Sequence, residues 1–391
     1  MLQQSPSSKS SSKKPEAPAS QTEKQSGWGP TRAMGLLLCG ALLVAGKDEL
    51  LSRRAAPPRP DSVAALQQKK LFTEVATCSK DIEQNPRAAS AYYNRACALQ
   101  ELGKHDMAVL DYCKVLELDP RDPSALYNRG CAFQELKKFD SAVSDYTRAI
   151  ELDPTHAMAY YNRGCAFREL GKPDAAEKDY RATIERDPNY APAYNNLGSV
   201  FLSYSEPYFA ERAVQEFSKA IERQPSYAVA YFNRAKAQAK REKFAEVVAD
   251  CSKAIDLDPK NPYAYFERAK AFSKLGRHEE RRIDCTRCIE LNPTFIHAYS
   301  ERVSALLDME IPEFNLLLAD ISKCIELAPG DEKFSGKMGK LIGTRGLCLA
   351  SLERHAEAVV DLKKALELEP ANTTFGKQLN TSLQHLSKGG R

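Results

Sequence analysis

Apolar residues recur at i, i+3, i+4 and i+7 through most of the chain, broken at short intervals by Gly-Lys or a similar pair and then by a proline. That spacing puts the apolar side chains on one face of a helix, and the breaks cut it into helix, tight turn, helix. The prolines fall at Pro86, Pro120, Pro154, Pro188, Pro225, Pro259, Pro293, Pro329 and Pro370, in steps of 34, 34, 34, 37, 34, 34, 36 and 41 residues. Proline cannot continue a helix and pushes the preceding residue out of the α region, so Asp119-Pro120 and its counterparts close each unit at one place. Each unit is too small to bury its apolar face alone, which predicts an array stacked end to end.

Small residues mark one slot of the first helix (Ala96, Gly130, Gly164, Gly198, Ala235, Ala269) and another of the second (Ala149, Ala220, Ala254), where larger side chains would force the helices apart. With the aromatics Phe133, Phe167, Phe201 and Phe272, the alanines Ala108, Ala142, Ala176 and Ala213, and the closing prolines, this pattern resembles the tetratricopeptide repeat family over about residues 89–372, as eight repeats. The resemblance implies an all-α, right-handed α-solenoid whose first helices line a concave groove. Upstream, residues 61–88 read as one long helix acting as a half-repeat or cap, with Glu74 and Asp81 where the family would have alanine. Downstream, residues 373–391 carry Phe375, Leu379, Leu383 and Leu386 on one face, as expected of a closing helix and tail.

Three units exceed the period, near Ser205–Tyr208, near Ile311-Pro312 and around Gly330–Lys340, and all three additions are expected in turns, where insertion is tolerated. A second regularity pairs the two helices. Arg95, Arg129, Arg163, Arg234, Arg268, Arg302 and Arg345 share one slot, and Asp111, Asp145, Asp179, Asp250, Asp284, Asp320 and Asp361 share another, almost equidistant from the hairpin. The fourth unit loses both together, having Leu197 and Glu216. An arginine–aspartate bridge within each repeat, structural in role, is the expectation.

Composition adds less. The chain has 56 Lys and Arg against 52 Asp and Glu, and the excess sits in residues 1–60, so the repeats carry no bulk positive field for nucleic acid. Residues 1–32 are rich in Ser, Lys and Pro and read as a disordered tail. In residues 33–60, the apolar run Ala33–Ala45 is too short to span a membrane and reads as the first helix of a degenerate repeat, with a targeting signal or surface anchor as alternatives, ahead of a Pro-rich linker. The eleven cysteines are an odd number in packing slots: Cys97, Cys131 and Cys165 share one, and Cys251 and Cys285 another that elsewhere holds Tyr112, Tyr146 and Tyr180. Buried thiols in a reducing, cytoplasmic setting explain them better than disulfides, and the Cys285–Cys288 pair has no second pair at metal-ligand spacing.

No catalytic motif is present, and His105, His278 and His355 share a hairpin slot filled elsewhere by Phe139 and Phe244, so neither enzyme activity nor a cofactor or metal is expected. Function should lie in the groove. Asn94, Asn128, Asn162, Asn196 and Asn233 form a ladder there, beside Tyr93, Tyr127 and Tyr161, and amides able to donate and accept can hold an extended peptide by its backbone. The groove then changes sign: Glu101, Glu135 and Glu169 give way to Lys240 and Lys274, while Lys236 and Lys270 replace the cysteine slot. A bipartite ligand is expected, neutral or basic over the first four repeats and acidic over the fifth and sixth. The carboxylate clamp of chaperone-binding members is not expected, because its first lysine slot holds Tyr93, Tyr127, Tyr161, Asn195, Phe232 and Phe266. The reading is a protein-binding scaffold without chemistry of its own. Alternatives are a subunit or adaptor of a larger assembly, ciliary or centrosomal for example, and a membrane-anchored receptor. Partner identity and oligomeric state are not specified by the sequence.

Overall fold

The computed structural model describes residues 63–309 and 313–388. The expectations for residues 1–32 and 33–60, and for the addition at Ile311-Pro312, fall outside them. Among the described residues the fold is all-α, without strands. It is an α-solenoid in which each long helix packs on the next long helix.

A long helix α1 (Val63–Gln84) precedes eight hairpins. These are α2 (Ala89–Glu101) with α3 (His105–Leu118), α4 (Pro123–Glu135) with α5 (Phe139–Leu152), α6 (Ala157–Glu169) with α7 (Pro173–Arg186), and α8 (Ala191–Ser203) with α9 (Pro207–Arg223). There follow α10 (Ala228–Lys240) with α11 (Phe244–Leu257), α12 (Pro262–Lys274) with α13 (His278–Leu291), and α14 (Ile296–Leu307) with α15 (Phe314–Leu327). After a 3-10 turn (Ala328–Gly330) and the short α16 (Glu332–Ser335), the eighth hairpin is α17 (Met338–Ser351) with α18 (His355–Leu368), and α19 (Thr373–Lys388) closes the array.

The breaks between repeats have one local cause. The side chain of Asp119 accepts a hydrogen bond from the backbone N–H two residues on, at 3.0 Å from Arg121, and Asn85, Asp153, Asp187, Asp258 and Asn292 repeat the geometry. An Asx turn of this kind redirects the chain just where proline forbids another helical turn. Within the hairpins, one residue in the left-handed region reverses the chain. It is Gly103, Gly171 or Gly276 in three repeats, but Lys137, Glu242 or Glu353 in three others.

The glycines of the first helices are where ring and backbone meet. A Cβ built on Gly130, Gly164 or Gly198 would come within 2.7, 2.9 and 2.8 Å of the rings of Tyr146, Tyr180 and Phe217. At Gly343 an added methyl would overlap the Phe375 ring, which docks α19 onto the last hairpin and is itself buried.

The additions differ from expectation in two repeats. In the fourth, the three residues after the hairpin lengthen α9 to 17 residues against the usual 14, instead of enlarging the turn. Pro207 occupies the first turn of α9, where a missing N–H costs nothing and the fixed φ suits a helix. In the eighth, the added residues build the 3-10 turn and α16, whose Phe334 is buried against Ile296, Tyr299 and Cys324. An added segment that can bury an aromatic ring acquires structure of its own.

Candidate peptide-binding groove

The first helices form the inner layer: α2 touches α4, α4 touches α6, α8 touches α10, α10 touches α12 and α12 touches α14. Helices that meet across whole repeats lie on the more tightly curved side of a solenoid, so this layer lines the concave surface.

The arginines hold that layer in place. Arg95 donates from Nε to Asp111 Oδ2 and from Nη2 to Asp111 Oδ1, both at 2.7 Å, and Arg129, Arg163, Arg234, Arg268, Arg302 and Arg345 meet Asp145, Asp179, Asp250, Asp284, Asp320 and Asp361 in the same forked way. A third contact was not foreseen. In six repeats Nη1 reaches back to the preceding second helix, at Ser79, Cys113, Thr147, Ser218, Ser252 or Thr286. Each such arginine therefore ties three helices, and Ser79 shows that α1 stands where a second helix would. The sequence signal was available: a small hydroxyl or thiol lies sixteen residues before each of these arginines. In the fourth repeat Leu197 is buried with Val200, Phe201 and Phe217, and Glu216 pairs instead with Lys219.

The asparagines also make inter-repeat bonds. Asn128, Asn162 and Asn196 donate from Nδ2 to the hydroxyls of Tyr93, Tyr127 and Tyr161, one repeat earlier, at 2.7, 3.0 and 3.0 Å. Burial pushes the Tyr127 and Tyr161 phenols far up, so these hydroxyls stay protonated. At the fourth repeat the pattern changes, because Asn195 stands in the tyrosine slot: Asn233 donates to Asn195 Oδ1 at 3.0 Å, and Asn195 donates to Asn196 Oδ1 at 3.4 Å. Asn196 and Asn233 are only 3% and 2% exposed, so they are core residues, not groove residues. Asn94, Asn128 and Asn162 are half-buried and keep a carbonyl oxygen that accepts no hydrogen bond from the described residues.

Further along, Lys236 and Lys270 lie over the rings of Phe232 and Phe266, each at 5.7 Å, and Lys240 and Lys274 are exposed one turn beyond. Glu267 and Glu301 follow in the asparagine slot. Glu267 pairs with Lys270 at 2.9 Å. Glu301 pairs with Arg281, which also reaches Asp308, at 2.8 and 2.9 Å. Arg281 is 4% exposed and stands where Ala108, Ala142 and Ala176 stand in other repeats, a substitution that sequence reading passed over.

Among the described residues none of the ten cysteines forms a disulfide. Among the same residues no helix is long and apolar enough to cross a membrane, and no group of three or more His, Cys, Asp or Glu side chains could hold a metal.

Family models described as tetratricopeptide repeat match residues 89–122, 123–156 and 157–190, then 209–262, 251–282 and 340–372. The unmatched stretches include α8, with Asn195 and Leu197, and the seventh repeat, which receives Arg281. No curated protein matches the sequence. Among solved structures, the chain is similar to YrrB, a TPR protein with an unusual peptide-binding site, at 24% identity over 48% of this chain and 95% of that one, with a TM-score of 0.41. It is similar to TTC0263, a thermophilic TPR protein of Thermus thermophilus, at 20% identity over 48% and 100%, TM-score 0.38. The first TPR of Spaghetti (RPAP3), bound to an HSP90 peptide, matches at 35% identity over 29% and 89%, TM-score 0.28. On the recurring helices, the arginine–aspartate staples and the family matches that cover more than half its length, the chain belongs to the tetratricopeptide repeat family.

Proposed function

We propose that this chain is a non-enzymatic protein-interaction scaffold that holds an extended peptide segment along its concave surface. The observation that carries the reading is the row formed by Asn94, Asn128 and Asn162. Two of these amides are fixed through Nδ2 by tyrosines of the preceding repeat, which leaves their carbonyl oxygens as acceptors oriented before any ligand arrives. Preorganised acceptors at repeat spacing can take backbone N–H groups without reading side chains, and ordering them costs little on binding. Membership of the tetratricopeptide repeat family supports a scaffold whose ligands are proteins or peptides.

The test compares the full chain with Asn94→Ala/Asn128→Ala/Asn162→Ala and with Tyr93→Phe/Tyr127→Phe. The second variant removes the same inter-repeat bonds but keeps the amides. Specific partners captured from cell extract should be lost by the asparagine variant and held more weakly than by the unmodified chain in the tyrosine variant, which keeps the amides but not their orientation, with helicity intact in both. Equal capture by all three would move recognition off the row.

A further inference from the structure

We infer that the inner face of the fifth and sixth repeats is a separate docking site for an acidic, polyproline-II-like peptide segment with carboxylates at every third residue. The inference rests on the groove reading above and names the chemistry that one part of the groove takes.

Two units with the same Phe, Lys and Lys at the same spacing stand side by side. On α10, Lys236 lies over Phe232 and Lys240 follows one turn later; on α12, Lys270 lies over Phe266 and Lys274 follows one turn later. A ring beneath the ammonium holds it in place and lowers the entropy lost when it binds. The nearby acids do not cancel this face. Glu301 is held by the buried Arg281, which also takes Asp308, and only Lys270 is paired, with Glu267. Lys240 donates one hydrogen bond to the Leu202 carbonyl at 2.7 Å, a neutral partner. Lys274 is exposed. In the first three repeats the corresponding slots hold Cys97, Cys131 and Cys165 with Glu101, Glu135 and Glu169, so the cationic lattice is confined to α10 and α12.

Spacing selects the ligand. Packed helices stand about 8–10 Å apart. A chain crossing from α10 to α12 in a β conformation repeats a face every second residue, about 6.7 Å, which falls short. Polyproline II repeats a face every third residue at about 3.1 Å per residue, close to 9 Å, which matches. The lysines are also not those of a terminal-carboxylate clamp, whose first lysine slot holds Phe232 and Phe266 here. An internal acidic segment is what this geometry fits.

The probe is a labelled, N-acetylated and C-amidated peptide of four Glu-Pro-Pro units, titrated by fluorescence anisotropy against the full chain. Three competitors accompany it: the Gln-Pro-Pro peptide, a Pro-rich peptide with the same glutamates placed contiguously, and a single-stranded oligo-dT. Expected are binding that weakens with salt, at least about tenfold preference over the glutamine and contiguous peptides, and loss of about tenfold or more in Lys236→Glu/Lys270→Glu. Should that variant misfold, Lys236→Gln/Lys240→Gln/Lys274→Gln removes the charge without reversing it and must show a clear loss. Absence of binding, equal binding of the glutamine peptide, insensitivity to folded lysine variants, or displacement by oligo-dT more readily than by the peptide itself each overturns the inference. The asparagine triple variant separates the two readings: if it keeps both its protein partners and the acidic probe, only the asparagine row fails.

Discussion

Arg302 and Asp320 form the most enclosed of the arginine–aspartate pairs: Nε meets Oδ2 at 2.7 Å and Nη2 meets Oδ1 at 2.6 Å, with side chains only 9% and 2% exposed. Burial raises the Asp320 carboxyl above its ordinary range even though Arg302 opposes the shift, a sign of how fully the pair is desolvated. Asp320→Ala should therefore cost roughly 3–5 kcal/mol, because it strands a guanidinium whose remaining described partner is Thr286. The double change Arg302→Met/Asp320→Leu should recover most of that loss in thermal or urea unfolding. A double variant as unstable as the single would assign the effect to lost packing.

The hairpin turns offer a gain. Lys137, Glu242 and Glu353 hold φ of 57°, 58° and 57°, where a side chain is strained, while Gly103 and Gly171 fill the same place without strain. Replacing any of the three by glycine should add about 0.5–1 kcal/mol, and Gly103→Lys should remove about as much. Urea midpoints at unchanged slope decide it.

The buried amides should separate from the half-buried ones. Asn233→Ala removes the donor to Asn195 inside the core and should cost about 1–3 kcal/mol. Asn94→Ala, with no bond to break among the described residues, should stay within about 0.5 kcal/mol. Parallel melting curves test the contrast, and equal losses would contradict it.

The thiols predict an alkaline limit. Burial pushes Cys131 up to about 11 and Cys288 and Cys324 up to about 12, from an ordinary 9.0. A thiol raised in the folded state adds stability that is complete below the unfolded value and is lost as pH climbs through the window between the two. The melting temperature should thus fall steadily above about pH 9. At about pH 8 these three should resist iodoacetamide, with half-exposed Cys97 and Cys113 reacting first. Mass spectrometry of the labelled chain reads the order.

Much of this architecture was legible because each rule acts within one repeat. Proline and aspartate end a helix locally, and the arginine and aspartate slots are equidistant from one turn, so their meeting follows from the hairpin alone. The Asx turns and the back-reaching contact to Ser79, Thr147 or Ser252 were equally periodic, but their meaning depends on which helix lies behind. Additions were the weak point. Three residues near Ser205 could enlarge a loop or extend a helix, and Pro207 together with the apolar face of α9 favoured the helix.

The groove divides the same way. Sequence alone determined that Asn94, Asn128, Asn162, Asn196 and Asn233 share one slot, since a period is a property of the chain. Only the tertiary structure decided that Asn196 and Asn233 are core while Asn94, Asn128 and Asn162 are half-buried, because Asn195 packs against both of the buried amides and bonds to each. It likewise decided that buried Arg281 holds Glu301 and Asp308 and offsets one of their two charges, while Glu267 takes Lys270 and leaves Lys236, Lys240 and Lys274 without a carboxylate partner among the described residues. Periodicity fixes which slot a residue fills; charge and accessibility belong to pairs of repeats, and pairs exist only once the array has stacked.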